Sequence, residues 1–529
     1  MRFLVHCLCP AKMIHEGMPR LCFVFLLTAF CAGLRAEVTL APLFADHAVL
    51  QRDKPIPVWG GAKPGEKVTV AFLGRSVTAR AGGDGRWIAF LAPLAANAAG
   101  ADLVVTGRNE LVVHDVVVGE VWLCSGQSNM EFMVNGQNLH VLNSAQEVAA
   151  AHYPLIRHFK VAKAESDVPI DTAAGSWAVC SPATVGQFTA VGYFFAREIY
   201  RKLGVPIGLI NSSWGGTRVE AWMSPDALES DPAFASVGQR WQRTLAAYPQ
   251  KKAAYEAPLS AWTKAEAAAG AAGPAQLASF RKNFAKPPPP DGPGTQATPA
   301  GLFNGMINPL LPYALRGVIW NQGEANGFRG FEYHRLFAAM ITGWRAHFGQ
   351  GDFPFYWVQV ANYDIANDPT HEQWAFLREA QTQTLSLPAT GQAITIDIGD
   401  PENIHFPNKQ EVGRRLALIA KAQTYGIPGD FSGPLFTSAA REGPSLRVRF
   451  AYAENGLTAA GKPLQSFEVA GADRQFHPAG AVIAGDTLLV QSPQVTAPVA
   501  VRYAWRNAPD ANLYNGAGLP ACPFRSDDW

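Results

Sequence analysis

The feature that most constrains this chain is an alternation of short apolar strands with amphipathic helices, which begins at Val116. Five apolar runs are predicted to be strands: 116–123, 207–211, 317–320, 355–360 and 393–398. Apolar residues recur at helical spacing over 333–348, and a second helix is predicted over about 409–423. This alternation is typical of a mostly parallel sheet covered on both faces. We therefore predict a flavodoxin-like, three-layer α/β/α fold.

The flanking regions follow a different pattern. Residues 37–115 and 429–529 contain short β-prone runs separated by Gly, Pro and Asp turns, so each is predicted to form a small β-sandwich or β-domain. The α/β region then covers 116–428. Within it, residues 231–300 are rich in Ala and Lys and end near four consecutive prolines. We predict that they form an insertion of surface helices with a stiff linker, lying at the rim of a site.

The first 36 residues are interpreted as a signal peptide. Arg20 precedes an apolar run over 21–33, and Ala36 provides a small residue for cleavage. The run is too short to span a bilayer. We expect an exported protein, periplasmic or secreted; an N-terminal anchor or a buried strand is the alternative.

Charge and cysteine content exclude several classes of protein. The formal net charge of +1 gives no basic surface for nucleic acid or an anionic membrane, and nothing after the leader resembles a transmembrane helix. Of seven cysteines, four lie in the leader, which leaves Cys124, Cys180 and Cys522 without CxxC spacing. A disulfide framework and a zinc site are therefore excluded. One bridge among the three is permitted, but the sequence does not determine the pair.

Polar residues follow four of the predicted strands, where a parallel sheet places its ligands. Ser128 follows the first strand, near a predicted helix N-terminus, and Gly215-Gly216 follow the second. Gln322 follows the third strand, and His405 the last. A serine needs a base to remove its proton, and a neutral imidazole can do so. The four segments together predict a serine nucleophile, a histidine base and donors for an oxyanion.

These residues belong to segments by which the chain resembles the bacterial sialate O-acetylesterase family, within the SGNH/GDSL-type hydrolases. The similar segments extend over nearly the whole chain after the leader, except for the insertion: 45–52, 121–131, 208–224, 302–324, 378–381, 408–416 and 503–515. The resemblance implies removal of acetyl groups from carbohydrate hydroxyls without a metal or organic cofactor. It also implies that Ser128 is the nucleophile, His405 the base, and Gly215 or Gly216 with Gln322 the oxyanion hole.

The acid that would orient the histidine departs from the family pattern. Many members have an aspartate two residues before the histidine, where this chain has Asn403. Members of related groups have a carboxylate three residues before it, which here is Glu402. We predict that Glu402 orients His405. Asp400 is the second choice, and a Ser-His dyad held by a backbone carbonyl is the third.

Two other functions are compatible with these residues. The first is the same ester chemistry on an acetylated plant polysaccharide, xylan or xyloglucan, with Trp214 or Trp222 against a sugar ring. The second is a carbohydrate-binding protein that has lost catalysis, which Asn403 alone favours. In each case we expect an O-acetylated carbohydrate as the partner.

Overall fold

The computed structural model describes residues 37–136 and 139–529, so the predicted signal peptide lies outside the described residues. The first part of the chain is made of strands: β1 (Val49–Gln51), β2 (Ile56–Gly61), β3 (Lys67–Phe72), β4 (Arg75–Arg80), β5 (Arg86–Leu91), β6 (Asn97–Thr106) and β7 (Glu110–Gly126). β3 pairs antiparallel with β4 and β6, β6 pairs antiparallel with β7, and β2 pairs with β5. β7 continues across residue 115, so one strand belongs both to this antiparallel region and to the central sheet.

The central sheet is a mixed α/β arrangement. Its further strands are β8 (Ile156–Val161), β9 (Gly175–Val179), β10 (Ile207–Ser213), β11 (Gly317–Asn321), β12 (Phe355–Val358) and β13 (Thr390–Ala393). The order is β13-β12-β11-β7-β10-β8-β9. Every neighbouring pair is parallel except β8 with β9.

Helices cover both faces of this sheet. The α-helices of the described residues are α1 (Ser128–Glu131), α2 (Ser144–Ala149), α3 (Ala190–Leu203), α4 (Pro225–Glu229), α5 (Ala235–Ala271), α6 (Pro274–Asn283), α7 (Gly330–Phe348), α8 (Gln373–Gln383) and α9 (Lys409–Ile419). Successive side chains of β7 point to opposite faces. Accordingly, Leu123 lies in one core with residues of α7, while Trp122 lies in the other with residues of α3 and α9.

The predicted elements differ from the observed ones at specific places. The strand predicted over 393–398 is wrong, because β13 ends at Ala393 and the following residues form turns. Strands β8 and β9 and helix α3 were not predicted. The helix predicted over 409–423 ends as an α-helix at Ile419 and continues as a single π-helical turn, Ala420–Thr424.

Residues 231–300 contain a short 3-10 helix (Pro232–Phe234), two α-helices and a stretch without helix or strand. α5 is 37 residues long and includes Pro249 and Pro258. α6 packs beside it through Trp262 and Phe280, whose ring centroids lie 5.7 Å apart. Residues 285–300 form turns and extended chain.

The C-terminal region is a β-sandwich-like domain. Its strands are β14 (Leu435–Glu442), β15 (Ser445–Ala451), β16 (Leu457–Thr458), β17 (Phe467–Ala470), β18 (Phe476–Ala484), β19 (Thr487–Gln491), β20 (Ala500–Tyr503), β21 (Tyr514–Asn515) and β22 (Phe524–Arg525). Seven of them form one antiparallel sheet in the order β14-β15-β19-β18-β17-β20-β22. The buried Arg378 guanidinium on α8 ties this domain to the central sheet, because it donates to the carbonyls of Val360, Ala361, Arg506 and Asn507.

Three further observations concern the cysteines, metal ligands and membrane spans. Cys124, Cys180 and Cys522 are free and buried, so no disulfide joins them. In the described part of the chain, no group of three or more His, Cys, Asp or Glu side chains is placed to hold a metal ion. None of the described helices is long and apolar enough to cross a membrane.

Candidate active site

Three adjacent parallel strands end together at one edge of the sheet. Ser213 of β10 and Asn321 of β11 both align with Gly126, the last residue of β7. The segments that follow these strands therefore start side by side. They carry Ser128, Gly215 and Gln322, as the sequence predicts.

The turn after β7 requires glycine. Gly126 has φ +131°, and a Cβ atom there would lie 2.2 Å from the carbonyl oxygen of Asn321. A side chain would therefore force β7 and β11 apart. Without one, the chain turns sharply and delivers Ser128 as the first residue of α1.

His405 reaches Ser128 from the loop that precedes α9. Its Nε2 atom lies 2.8 Å from Ser128 Oγ. The loop is held beside the site because Phe406 is buried in the core and Asn408 caps α9 through the N–H of Glu411. The two residues predicted as nucleophile and base are thus within hydrogen-bonding distance of each other.

The predicted acid is not brought to His405. Glu402 is exposed, and among the described residues no hydrogen bond joins its carboxylate to the imidazole. Asp400 accepts the backbone N–H of Glu402 instead, at 2.9 Å. Asn403 accepts the backbone N–H of His405 through Oδ1, also at 2.9 Å. Asp400 and Asn403 therefore shape the loop.

The predicted oxyanion donors differ in availability. The N–H of Gly215 donates to Glu131 Oε2 at 2.8 Å, and Glu131 Oε1 also lies 2.6 Å from Lys163 Nζ. Within the described residues, the N–H groups of Ser128 and Gly216 have no protein acceptor. Gly216 is exposed and has φ +73°.

Gln322 is fully buried and fully bonded. Its Nε2 donates to Thr217 O at 3.0 Å and to Asn326 Oδ1 at 2.8 Å, while Oε1 accepts from Tyr333 at 2.8 Å. Both amide hydrogens are committed to protein acceptors. Contrary to the prediction, Gln322 therefore offers no free N–H to a substrate in this arrangement, and it ties the loop after β10 to the loop after β11.

Sequence reasoning missed a buried polar cluster behind Ser128, formed by Asn129, Glu324 and Lys409. Asn129 Nδ2 donates to Glu324 Oε1 at 2.5 Å and to the carbonyl of Ile404 at 3.1 Å. Asn129 Oδ1 accepts from Lys409 Nζ at 2.7 Å. The cluster thus joins the residue after Ser128 to the residue before His405. Its members stand in the similar segments, but no spacing rule links them.

Burial controls the electrostatics of this cluster. It lowers the pKa of Lys409 to about 7, although the negative charge of Glu324 opposes the shift. Burial likewise raises the pKa of Glu324. The Lys409 ammonium lies 3.7 Å from the ring centroid of Phe406 and 4.8 Å from that of Phe132, so aromatic faces surround it.

The same effects act on His405, the predicted base. Burial, and then the charge of Lys409, lower the pKa of His405 below its ordinary value. No carboxylate contributes to this shift. A lowered pKa keeps the imidazole neutral at neutral pH, which is the form that can accept a proton.

Comparison with known proteins identifies the family. The model of the carbohydrate esterase family described as sialic acid-specific acetylesterase matches residues 118–254 and 301–421. The crystal structure of a carbohydrate acetylesterase from Xanthomonas citri is 41% identical, with a TM-score of 0.78, and the match covers 93% of this chain and 100% of that one. The chain belongs to the sialate O-acetylesterase family. It is accordingly a carbohydrate acetylesterase.

Curated relatives agree with this assignment. The sialate O-acetylesterase of Rattus norvegicus is 29% identical over 95% of this chain and 97% of its own length. The human sialate O-acetylesterase is 28% identical over 88% of each chain. The family model also reaches residue 254, so the first part of the predicted insertion is covered by it.

Of the two aromatic residues considered for sugar contact, only one is accessible. Trp222 is fully buried in the core, where its indole N–H donates to Thr217. Trp214 is half-buried, and the Lys163 ammonium lies 5.4 Å from its ring centroid.

Proposed function

We propose that this protein is an SGNH-type serine esterase that hydrolyses acetyl esters on sugar hydroxyls. Ser128 attacks the acetyl carbonyl while His405 Nε2 accepts the hydroxyl proton. The alcohol of the sugar leaves with that proton, and an acetyl-serine forms. Water, deprotonated by His405, then releases acetate and regenerates Ser128. The 2.8 Å contact between His405 Nε2 and Ser128 Oγ carries this proposal.

The developing oxyanion is proposed to be bound by backbone N–H groups. Those of Ser128 and Gly216 are the candidates because both lack protein acceptors among the described residues. Gly215 lies against the nucleophile, since a Cβ atom on it would be 3.2 Å from Ser128 Cβ. Its N–H, bonded to Glu131, positions the loop. Backbone donors of this kind typically contribute about 3 kcal/mol each to transition-state stabilisation.

The base is proposed to act as part of a Ser-His dyad. Among the described residues, neither the Glu402 nor the Asp400 carboxylate makes a hydrogen bond to the ring, which favours a dyad. No backbone carbonyl of these residues accepts from the ring either, so the dyad lacks the carbonyl that the third alternative from the sequence included. The ring is positioned by its backbone: Asn403 accepts the N–H of His405, and Asn129 holds the carbonyl of Ile404.

The substrate is proposed to be an O-acetylated glycan, either a sialic acid ester or an acetylated xylan or xyloglucan. We also propose that residues 1–36 direct export, which would bring the enzyme to such glycans. A non-catalytic binding protein is disfavoured because the Ser128–His405 pair is intact.

The test is acetate release from a small aryl acetate by wild type and Ser128→Ala. Wild-type turnover that disappears in Ser128→Ala is expected, and acetate release from acetylated sialic acid, xylan and xyloglucan then identifies the sugar. Equal turnover by the two folded proteins would contradict a serine mechanism. Trapping the acetylated Ser128 peptide by mass spectrometry tests the covalent intermediate separately.

A further inference from the structure

A pocket of about 420 Å³ opens directly at Ser128. This Ser128 pocket is lined by Ser128, Glu131, Phe132, Met133, Gly136, Leu139 and Gln187. The chain that follows α1 forms one of its walls, and hydrogen bonds fix that chain against the residues before α3. The N–H of Val134 donates to the carbonyl of Phe188 at 3.1 Å. The N–H of Ala190 donates to the carbonyl of Phe132 at 2.8 Å, so the backbone sets the position of this wall.

The lining of the Ser128 pocket is mainly apolar. Phe132 is buried, Met133 is half-buried and Leu139 is exposed. Glu131 is the charged residue of the lining, and its carboxylate is already engaged: it accepts a backbone N–H at 2.8 Å and lies 2.6 Å from Lys163 Nζ. No cationic side chain lines the pocket within the described residues. The Ser128 pocket therefore offers contact area to an uncharged apolar group.

The position of His405 indicates which half of an ester enters the Ser128 pocket. In the proposed mechanism, His405 passes its proton to the leaving oxygen, so the sugar lies on the His405 side of the reacting carbonyl. The acyl group then points away from the imidazole. In the described part of the chain, the lining of the pocket includes Ser128 but not His405. The Ser128 pocket is thus on the acyl side of the nucleophile.

The Ser128 pocket is larger than an acetyl group requires. A methyl group is about the size of a water molecule, which occupies about 30 Å³ in the liquid. The pocket encloses about 420 Å³, and the side chain of Leu139 is still 38% exposed there. Met133 is unbranched and adapts its shape to a neighbour. Apolar surface beside Ser128 is therefore left for a longer chain to cover.

We propose that the Ser128 pocket is an acyl site for chains longer than acetyl, which gives this protein a further activity: removal of butyryl groups from sugar hydroxyls. The inference rests on the proposed function, because Ser128 and His405 perform the same steps. The bond from the acyl carbon to the sugar oxygen breaks as the bond to Ser128 Oγ forms, and the sugar oxygen takes the proton. Water then releases butyrate in place of acetate.

The experiment compares two acyl groups on one alcohol. We measure kcat/KM for p-nitrophenyl butyrate and p-nitrophenyl acetate, and divide their ratio by the same ratio for alkaline hydrolysis, which removes the difference in intrinsic reactivity. The variants are Leu139→Asn and Met133→Gln, which keep the side-chain size and remove the apolar surface. The matched control is Leu142→Asn, at an exposed leucine of the same segment that does not line the Ser128 pocket.

The corrected butyrate-to-acetate ratio should be about 4 to 16 in the wild type, because each methylene removed from water contributes about fourfold. Leu139→Asn and Met133→Gln should each lower the ratio by about twofold or more, and Leu142→Asn should keep it. Since each ratio is taken within one protein, a general loss of activity cancels. A wild-type ratio of one or less, or the same ratio in all four proteins, would overturn the inference.

A second pair of substrates tests whether the alcohol occupies the Ser128 pocket instead. Phenyl acetate and 1-naphthyl acetate have the same acyl group and differ in the size of the apolar alcohol. The ratio of their kcat/KM values should be the same in the wild type and in both pocket variants. A changed alcohol ratio with an unchanged acyl ratio would overturn the inference.

Failure of the proposed function is recognised separately, by the absence of Ser128-dependent aryl acetate turnover. In that case, NMR titration of the wild type and Leu139→Asn with butyrate and with acetate still tests the Ser128 pocket. Tighter binding of butyrate than of acetate by the wild type, and a smaller difference in Leu139→Asn, is the expected result. Equal binding of the two acids by the wild type would overturn the inference without reference to catalysis.

Discussion

His405 lies between two regions of unlike physical character. On one side is the buried polar cluster, in which Asn129 bonds Glu324, Lys409 and the Ile404 carbonyl. On the other is the loop with Asp400, Glu402 and Asn403, which is open to solvent and offers the ring no carboxylate. The comparison shows that the number of residues between a carboxylate and a histidine is a weak guide to whether the two interact. A charge acts strongly only where water is excluded, and the carboxylates of this loop are open to solvent.

The difference also separates two ways of holding a catalytic base. A carboxylate on the imidazole would raise the pKa of the histidine and stabilise its protonated form. Here the buried cluster fixes the backbone beside His405, and burial, followed by the charge of Lys409, lowers the pKa of His405. In the proposed mechanism, the buried cluster behind Ser128 thus both positions His405 and helps to keep its imidazole neutral.

The largest effect on activity is expected from a substitution of His405, which lies between the two regions. His405→Ala should lower kcat on an aryl acetate by about 100- to 10,000-fold, since it removes the proposed general base. The unfolding midpoint should change little because the imidazole is partly exposed. Steady-state kinetics and thermal unfolding measure the two effects, and near-wild-type kcat would remove His405 from the mechanism.

The buried side is next tested by Lys409→Met. Asn129 Oδ1 would lose its buried donor, so the free energy of unfolding should fall by about 1 to 3 kcal/mol. Lys421→Met is the control, because its ion pair with Glu198 is partly exposed and contributes less than about 1 kcal/mol. Urea unfolding measures both, and equal losses would show that the buried cluster is no more important than a surface pair.

The smallest of these effects is a displacement of the pH profile. Only neutral His405 can accept the serine proton, so kcat/KM should rise with pH through an apparent pKa below 6.5 in the wild type. Burial lowers the pKa of Lys409 to about 7, so Lys409 is largely protonated at the acidic end of that range, where its charge disfavours a protonated His405. Removing that charge in Lys409→Met should move the acidic limb to higher pH; a shift to lower pH would contradict the electrostatic argument.

The sequence predicted the parts of the fold that follow local periodicity. Apolar runs bounded by turn residues mark the buried parallel strands β7, β10, β11 and β12. A clear apolar face marks helix α7. The strand predicted over 393–398 failed because Ile394 and Ile396 are buried without belonging to the sheet. An apolar run reports burial, and burial alone does not distinguish a strand from a packed turn.

The predictions for the site also divide into those that follow from the sheet and those that do not. Ser128 and His405 were predicted because each follows a strand of one parallel sheet, and the sheet brings such residues together. Gln322 and Glu402 were assigned by chemical type, and their hydrogen bonds depend on side-chain directions that no spacing encodes. The cluster of Asn129, Glu324 and Lys409 joins residues up to 280 positions apart in the chain, so only the folded structure reveals it.

The central claim is that His405 is positioned by the buried polar cluster and not by the carboxylate of the loop. The most direct measurement is kcat/KM on one aryl acetate for Asn129→Ala and Glu402→Ala, both checked for folding by circular dichroism. Asn129→Ala should lose about 100-fold, because displacement of the base by about 1 Å is enough for such a loss, whereas Glu402→Ala should lose less than about threefold. A large loss in Glu402→Ala with near-wild-type activity in Asn129→Ala would contradict the account and return the orienting acid to the loop.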